Sequence, residues 1–190
     1  MALRIDITTI HQLENKDIFL DANIWLHVFC PVSFSREAIY RKYSWALNRL
    51  IHSTNKMYID ITILSEFINR WQKIAFANYK EDNANDNKDQ DFQFKRDYKK
   101  TEDFKETLRI ISSTVEDKIL KWSSVINLQY EKKDIFELIG NLEKESIDFN
   151  DLHIEKLCKA NRLFLLTDDG DFAGSSIDII SGNPKLLHNH

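Results

Sequence analysis

Four acidic residues, Asp21, Glu66, Asp151 and Asp169, fall at the ends of apolar runs or in the opening turns of helical stretches. Like charges held close together raise one another's free energy unless a proton or a divalent cation intervenes. Mg²⁺ and Mn²⁺ take oxygen ligands and keep several waters, so three or four carboxylates with open positions suit a hydrolytic site. The chemistry expected there is attack of metal-activated water on a phosphodiester, with the cation taking up charge on the non-bridging and leaving oxygens. Each acid also has an ordinary reading. Asp21 serves as a turn residue, Glu66 as an acid favoured near a helix N-terminus by the dipole, and Asp151 as a cap in competition with Asn150 and Asp148.

The elements that must position these acids follow from hydrophobic periodicity. Behind a polar lead-in, residues 17–21 read as a buried strand that delivers Asp21 to its C-terminal edge, where open parallel sheets bind ligands. Residues 23–29 form a short helix stopped near Pro31. Ser35 is expected to cap a second helix with Ile39, Tyr43, Ala46, Leu47 and Leu50 on its apolar face. Residues 57–59 form a second strand ending in Asp60, and Thr62 caps the helix that carries Glu66 and the stripe Ile63, Leu64, Phe67, Ile68, Trp71 and Ile74. Residues 80–91 are Asn, Asp, Glu and Lys in large part and read as a solvated loop. An amphipathic helix follows over 104–126, its last turn overlapping a third strand at 124–128. Ile135, Leu138, Ile139 and Leu142 mark a further helix, ended by the charged run 143–145 rather than at Gly140. Asn150 and Asp151 open the next, residues 163–167 are a fourth strand ending at Asp168-Asp169-Gly170-Asp171, and 177–180 are a fifth. Strands alternating with helices imply an α/β fold with a parallel sheet.

Taken together, the stretches Ile18-Phe19-Leu20-Asp21-Ala22-Asn23, Ile63-Leu64-Ser65-Glu66-Phe67, Asn150-Asp151-Leu152-His153 and Leu165-Leu166-Thr167-Asp168-Asp169-Gly170-Asp171-Phe172 resemble the PIN domains in order and approximate spacing. That family consists of metal-dependent ribonucleases and related nucleases, and many small bacterial members are toxins of toxin–antitoxin pairs. The resemblance implies a three-layer α/β/α fold whose central sheet of about five strands runs in the order 3-2-1-4-5. It makes residues 1–190 one PIN-like domain with a loop-helix insertion around 78–123, longer than the helical pair of compact members. It assigns Asp21, Glu66, Asp151 and Asp169 as the Mg²⁺- or Mn²⁺-binding catalytic acids and Asp171 as an accessory ligand. Of the run 168–171 it prefers Asp169, then Asp171, with Asp168 last and one of the three merely solvated. Asn23 and Thr167 would hold the carboxylates or a substrate phosphate by hydrogen bonds. RNA is the implied substrate, an antitoxin the implied partner of toxin members, and a homodimer the family's habit.

The net charge of −4 argues against a protein that grips nucleic acid through bulk positive charge, though local basic strips remain compatible with it. Arg36, Arg41, Lys42, Arg49, Arg70 and Lys73 line either an RNA groove or solvated helix faces. Cys30 and Cys158 read as reduced thiols, and no membrane-spanning segment is present, so a cytoplasmic protein is expected. His153 reads as a surface or packing residue. Trp45, Trp71 and Trp122 read as core, while Trp25 stays open between core and base platform. His188-Asn189-His190 lacks the scaffold of a histidine nuclease. The alternatives are a catalytically silent PIN scaffold that binds RNA or a protein, and an aspartate-nucleophile phosphatase, which wants Asp where Asn23 stands. A receiver domain lacks its Lys beyond a later strand.

Overall fold

A computed structural model describes residues 2–31, 37–83, 91–145 and 148–187. Its strands are β1 (Arg4–Asp6), β2 (Asp17–Leu20), β3 (Lys56–Ile59), β4 (Ser123–Val125), β5 (Phe164–Leu166) and β6 (Ile179–Ser181). They form one sheet in the order β1-β6-β5-β2-β3-β4, every pairing parallel. The helices are α1 (Ala22–Phe29), α2 (Glu37–Ile51), α3 (Ile61–Asp82), α4 (Glu102–Thr114), α5 (Leu120–Trp122), α6 (Lys132–Glu145), α7 (Phe149–Asn161) and α8 (Pro184–Leu187). The chain is thus α/β, a single parallel sheet flanked by helices.

Ile18, Phe19 and Leu20 of β2 and all of β5 are buried, as central parallel strands covered on both faces must be. The chain steps from β2 to β3 to β4 in one direction and then crosses back to β5 and β6. Right-handed crossovers therefore put α1–α5 on one face and α6 and α7 on the other. The reversal falls between β2 and β5, whose C-terminal ends lie side by side, with Leu20 paired to Leu166. A crevice outside those ends is the usual ligand position in an open α/β sheet.

Five strands run in the predicted order, and a sixth, β1, joins the β6 edge where only a polar lead-in was expected. Arg-Ile-Asp carries one apolar residue, so no hydrophobic run announces it. It is held instead by the Arg4 guanidinium, which donates to the carbonyls of Ile177 at 2.6 Å and Ser175 at 2.5 Å. Asp60, not Thr62, caps α3, accepting from the Ile63 N–H at 2.9 Å, and Thr62 donates to the same carboxylate. The expected cap at Ser35 lies outside the described residues, as does most of the loop expected over 80–91. Residues 80–82 continue α3. The helix expected over 104–126 is broken: after α4 the backbone widens into a π turn at Val115–Ile119, and β4 begins at Ser123. A wider turn under-rotates the helix, so Ile111 and Ile119, eight residues apart, both reach the main core. Between α3 and α4 an aromatic cluster of Phe76, Tyr79, Phe92, Phe94, Tyr98 and Phe104 fills the space, its closest rings 5.2 Å apart at Tyr79 and Tyr98. Gly140 lies within α6, which runs on to Glu145 as expected.

Trp25 and Trp71 are core residues, whereas Trp45, expected to be buried, is 37% exposed. It lies edge-on to His11 and under the Arg49 guanidinium. Cys30 and Cys158 are both buried and form no disulfide. Among the described residues no helix is long and apolar enough to cross a membrane.

Candidate active site

Asp21 occupies the N-cap position of α1 but makes no cap hydrogen bond with its side chain. Its carboxylate turns instead toward the end of β5, where Oδ2 accepts from Asn23 Nδ2 and from the Thr167 hydroxyl, both at 2.6 Å. Asn23 also donates to Thr167 Oγ1 at 3.1 Å, and its amide oxygen accepts the Asp168 N–H at 3.2 Å. Thr167 Oγ1 in turn accepts the Asp169 N–H at 3.0 Å. Asn23 and Thr167 therefore clasp the two strand ends together and orient Asp21 while setting the start of the Asp169 turn. All three side chains are buried, Thr167 fully.

The other acids approach from three directions. Asp169 caps the short 3-10 helix Gly170–Gly174 by accepting the Asp171 N–H at 3.0 Å. Asp151 lies in the first turn of α7, and its carboxylate is spared for other work because Asp148 takes the cap. Glu66 lies in the second turn of α3, six residues past its cap Asp60, and is bonded to Arg70 at 3.0 Å. Burial is the largest influence on both Asp21 and Asp151, pushing each carboxyl upward. Asp21 reaches about 6, with the charges of Glu66 and Asp169 adding to burial against the lowering hydrogen bond from Thr167. Asp151 reaches about 7, with Asp169, Asp21, Asp148 and Asp171 adding to burial. The four acids thus share one electrostatic neighbourhood. Among the described residues no three His, Cys, Asp or Glu side chains already form a group able to hold an ion.

The donor set is nonetheless chemically suited to a hard divalent cation. It is made of carboxylates alone, two of them raised by desolvation and mutual repulsion, which a cation between them would relieve. Of the C-terminal run, Asp171 is the exposed acid. Asp168 is engaged by other partners. The Tyr43 hydroxyl donates to its Oδ1 at 2.5 Å, and His27 Nε2 lies 3.3 Å from Oδ2. Burial pushes Asp168 up, but His27 and Tyr43 outweigh it and hold the carboxyl below its usual range. Open grooves of about 530 and 520 Å³ flank the acids: one is bordered by Asp151, Asp171 and Lys159, the other by Glu66, Arg70 and Asn150. Asn150 of the one and Asp151 of the other are consecutive residues of α7.

The pairing that sequence reasoning missed is Asp60 with His153. The ring of His153 is buried, its Nε2 2.5 Å from Asp60 Oδ2 and its Nδ1 2.5 Å from the Tyr130 hydroxyl. Asp60 caps the helix of Glu66, and His153 shares a helix with Asp151, so the bond ties two acid-bearing helices together. An apolar strand ending in Asp before a helix was the available signal for Asp60. Nothing local in the sequence pointed to its partner on α7. Burial pushes the Asp60 carboxyl up, but bonds from His153, the Ile63 N–H and Thr62 prevail and hold it low. His153→Ala is therefore expected to cost about 3 kcal/mol in urea unfolding, because a carboxylate 2% exposed is left short of a donor. A loss below about 1 kcal/mol would show that the pair does not brace the fold.

The elevated Asp151 carboxyl gives a pH signature. Its value is about 7 in the folded chain against 3.8 for the free residue, so between these values the native state keeps a proton that the unfolded state has released. Stability from this group is complete below pH 3.8 and is lost as the pH rises through about 7. Asp151→Asn removes that loss. In urea titrations its stabilisation relative to wild type is expected to be absent near pH 4 and to grow to a plateau above pH 7, and a difference independent of pH would contradict the assignment.

No family model matches the chain, and no curated protein matches it. Among solved structures the chain is similar to the crystal structure of VapBC2 from Rickettsia felis bound to a DNA fragment from their promoter, at 16% identity and a TM-score of 0.47, over 87% of this chain and 98% of that one.

Proposed function

We propose that this chain is a Mg²⁺- or Mn²⁺-dependent endoribonuclease of the PIN type, in which Asp21, Glu66, Asp151 and Asp169 hold the cation and Asp171 assists. The single observation that carries the reading is the placement of Asp21, held by Asn23 and Thr167 at the ends of the two strands where the sheet reverses, with Asp169 on the turn set by Thr167. Burial, then Glu66 and Asp169, raises Asp21, and burial, then Asp169 and Asp21, raises Asp151 on α7. Held by these carboxylates, a divalent cation would supply Lewis acidity and a water of lowered pKa for phosphodiester hydrolysis. Asn23 and Thr167 keep the Asp21 carboxylate oriented, and their short bonds limit the reorganisation needed when the cation arrives. The exposed Asp171 lines the groove beside Asp151, within reach of a bound substrate. A role as the toxin of a toxin–antitoxin pair, with an antitoxin partner, a homodimeric state and a cytoplasmic location, belongs to the same reading.

The test is cleavage of RNA by the purified protein with Mn²⁺ and with EDTA. Cleavage in the first and none in the second is expected, and cleavage equal in both would refute metal dependence. A catalytically silent scaffold that docks RNA or a partner protein on its acids is the second reading. One observation favours it: Glu66 already accepts the Arg70 guanidinium at 3.0 Å, as it would accept an arginine of a partner. That reading predicts RNA or protein binding with no cleavage in any divalent metal.

A further inference from the structure

The groove beside Glu66 is lined by Ser65, Glu66, Asn69, Arg70, Lys73 and Asn150. Its two basic side chains, Arg70 and Lys73, lie three residues apart on α3 and so stack along one face of the helix. Arg70 is half exposed, and its guanidinium is engaged by one partner, the Oε1 of Glu66. Among the described residues Lys73 forms no ion pair. A cation of this chain therefore leans on one of the four acids, in the groove that Glu66 lines.

Such an i,i+4 pair at the surface is weak, in general below about 1 kcal/mol, and exchanges readily. A divalent cation carries twice the charge of a guanidinium and prefers carboxylate oxygen, so one held by Glu66 would displace Arg70. The released guanidinium stays tethered one turn away, above the groove, with a planar donor fork that matches a phosphate.

We propose that this groove seats the backbone of the RNA strand flanking the cut, and that Arg70 is an exchange residue, bound to Glu66 in the metal-free protein and to a substrate phosphate once Glu66 is otherwise engaged, with Lys73 meeting the neighbouring phosphate. The proposal rests on the nuclease reading above and assigns its substrate track. It also gives the acidic site a local counter-charge for a polyanionic ligand in a chain of net charge −4.

The test is fluorescence-anisotropy binding of a labelled single-stranded oligoribonucleotide in EDTA, across a range of salt. Arg70→Gln and Lys73→Gln sit on an accessible helix face and keep a good helix former. Lys73→Gln is expected to weaken binding and to reduce the salt slope by about 0.7, the value for one lost phosphate contact on a single strand. Arg70→Gln is expected to leave the slope unchanged where Glu66 is present and to reduce it by about 0.7 in the Glu66→Gln background. Glu66→Gln releases Arg70 without metal and is expected to tighten binding about fivefold in the wild-type background, but by less than about twofold where Arg70 is already Gln. A general effect of removing one negative charge would act equally in both backgrounds. Equal gains, or a slope left unchanged when Arg70→Gln is added to Glu66→Gln, would overturn the exchange while leaving Mn²⁺-dependent cleavage by wild type to stand. A wild type that neither binds nor cleaves the oligoribonucleotide would remove the underlying reading as well.

Discussion

Asp21→Asn is expected to abolish Mn²⁺-dependent RNA cleavage while making the metal-free protein more stable. Both effects come from the same carboxylate. Groups that merely support a metal ligand change affinity or activity by about 10–100-fold, so loss of a ligand itself is expected to exceed about a hundredfold. Stability moves the other way because the Asp21 carboxyl, ordinarily 3.8, is raised to about 6 by burial and by Glu66 and Asp169. Its charge at neutral pH therefore opposes folding by up to about 3 kcal/mol. Asn removes that charge, and its amide oxygen can still accept from Asn23 and Thr167. For a chain of this size the melting temperature is expected to rise by about 3–8 °C. Retained cleavage in a clean Asp21→Asn preparation would refute the catalytic assignment, and a large fall in melting temperature would refute the electrostatic one.

Mn²⁺ is expected to produce the second large effect, a stabilisation of the wild-type protein that depends on pH. A ligand that binds only the native state at a hundred times its dissociation constant adds about 2.7 kcal/mol, or roughly 5–10 °C here. Asp21 and Asp151 must release protons for the cation to bind, and these carboxyls are raised to about 6 and about 7. Metal affinity should therefore increase as pH rises through that window and level off above it. A melting shift that is the same at about pH 5.5 and about pH 8, or none at millimolar Mn²⁺, would argue against a site built on these two groups.

The strand ends were readable because a buried parallel strand is a continuous apolar run and an acid after it stands out. Ile18-Phe19-Leu20-Asp21 and Leu165-Leu166-Thr167-Asp168 are such runs, and their pairing follows from the β/α alternation. β1 was not readable, since three residues with one apolar side chain carry no pattern and their hold comes from Arg4, about 170 residues away from its acceptors. The π turn was hidden for a related reason: apolar steps of three and four fit a regular helix, and the departure appears only when the core selects Ile111 and Ile119. The tie between Asp60 and His153 spans 93 residues, so it was out of reach of any local rule. Asp168 illustrates the reverse difficulty. Its neighbour Asp169 has the same residue type and a nearly identical context, and what separates them is Tyr43 and His27 on the opposite side of the turn. Trp45 was misplaced because helical spacing names a face but not its boundary, and this ring lies at the boundary.

Whether Asp21, Glu66, Asp151 and Asp169 act as one cation site is tested most directly by calorimetric titration of Mn²⁺ into metal-free protein at about pH 8, in parallel with Asp21→Asn and Asp151→Asn. Saturable binding to the wild type that is weakened at least about tenfold in both variants is the expected result. Binding that is absent from the wild type, or unaltered by either substitution, would contradict it.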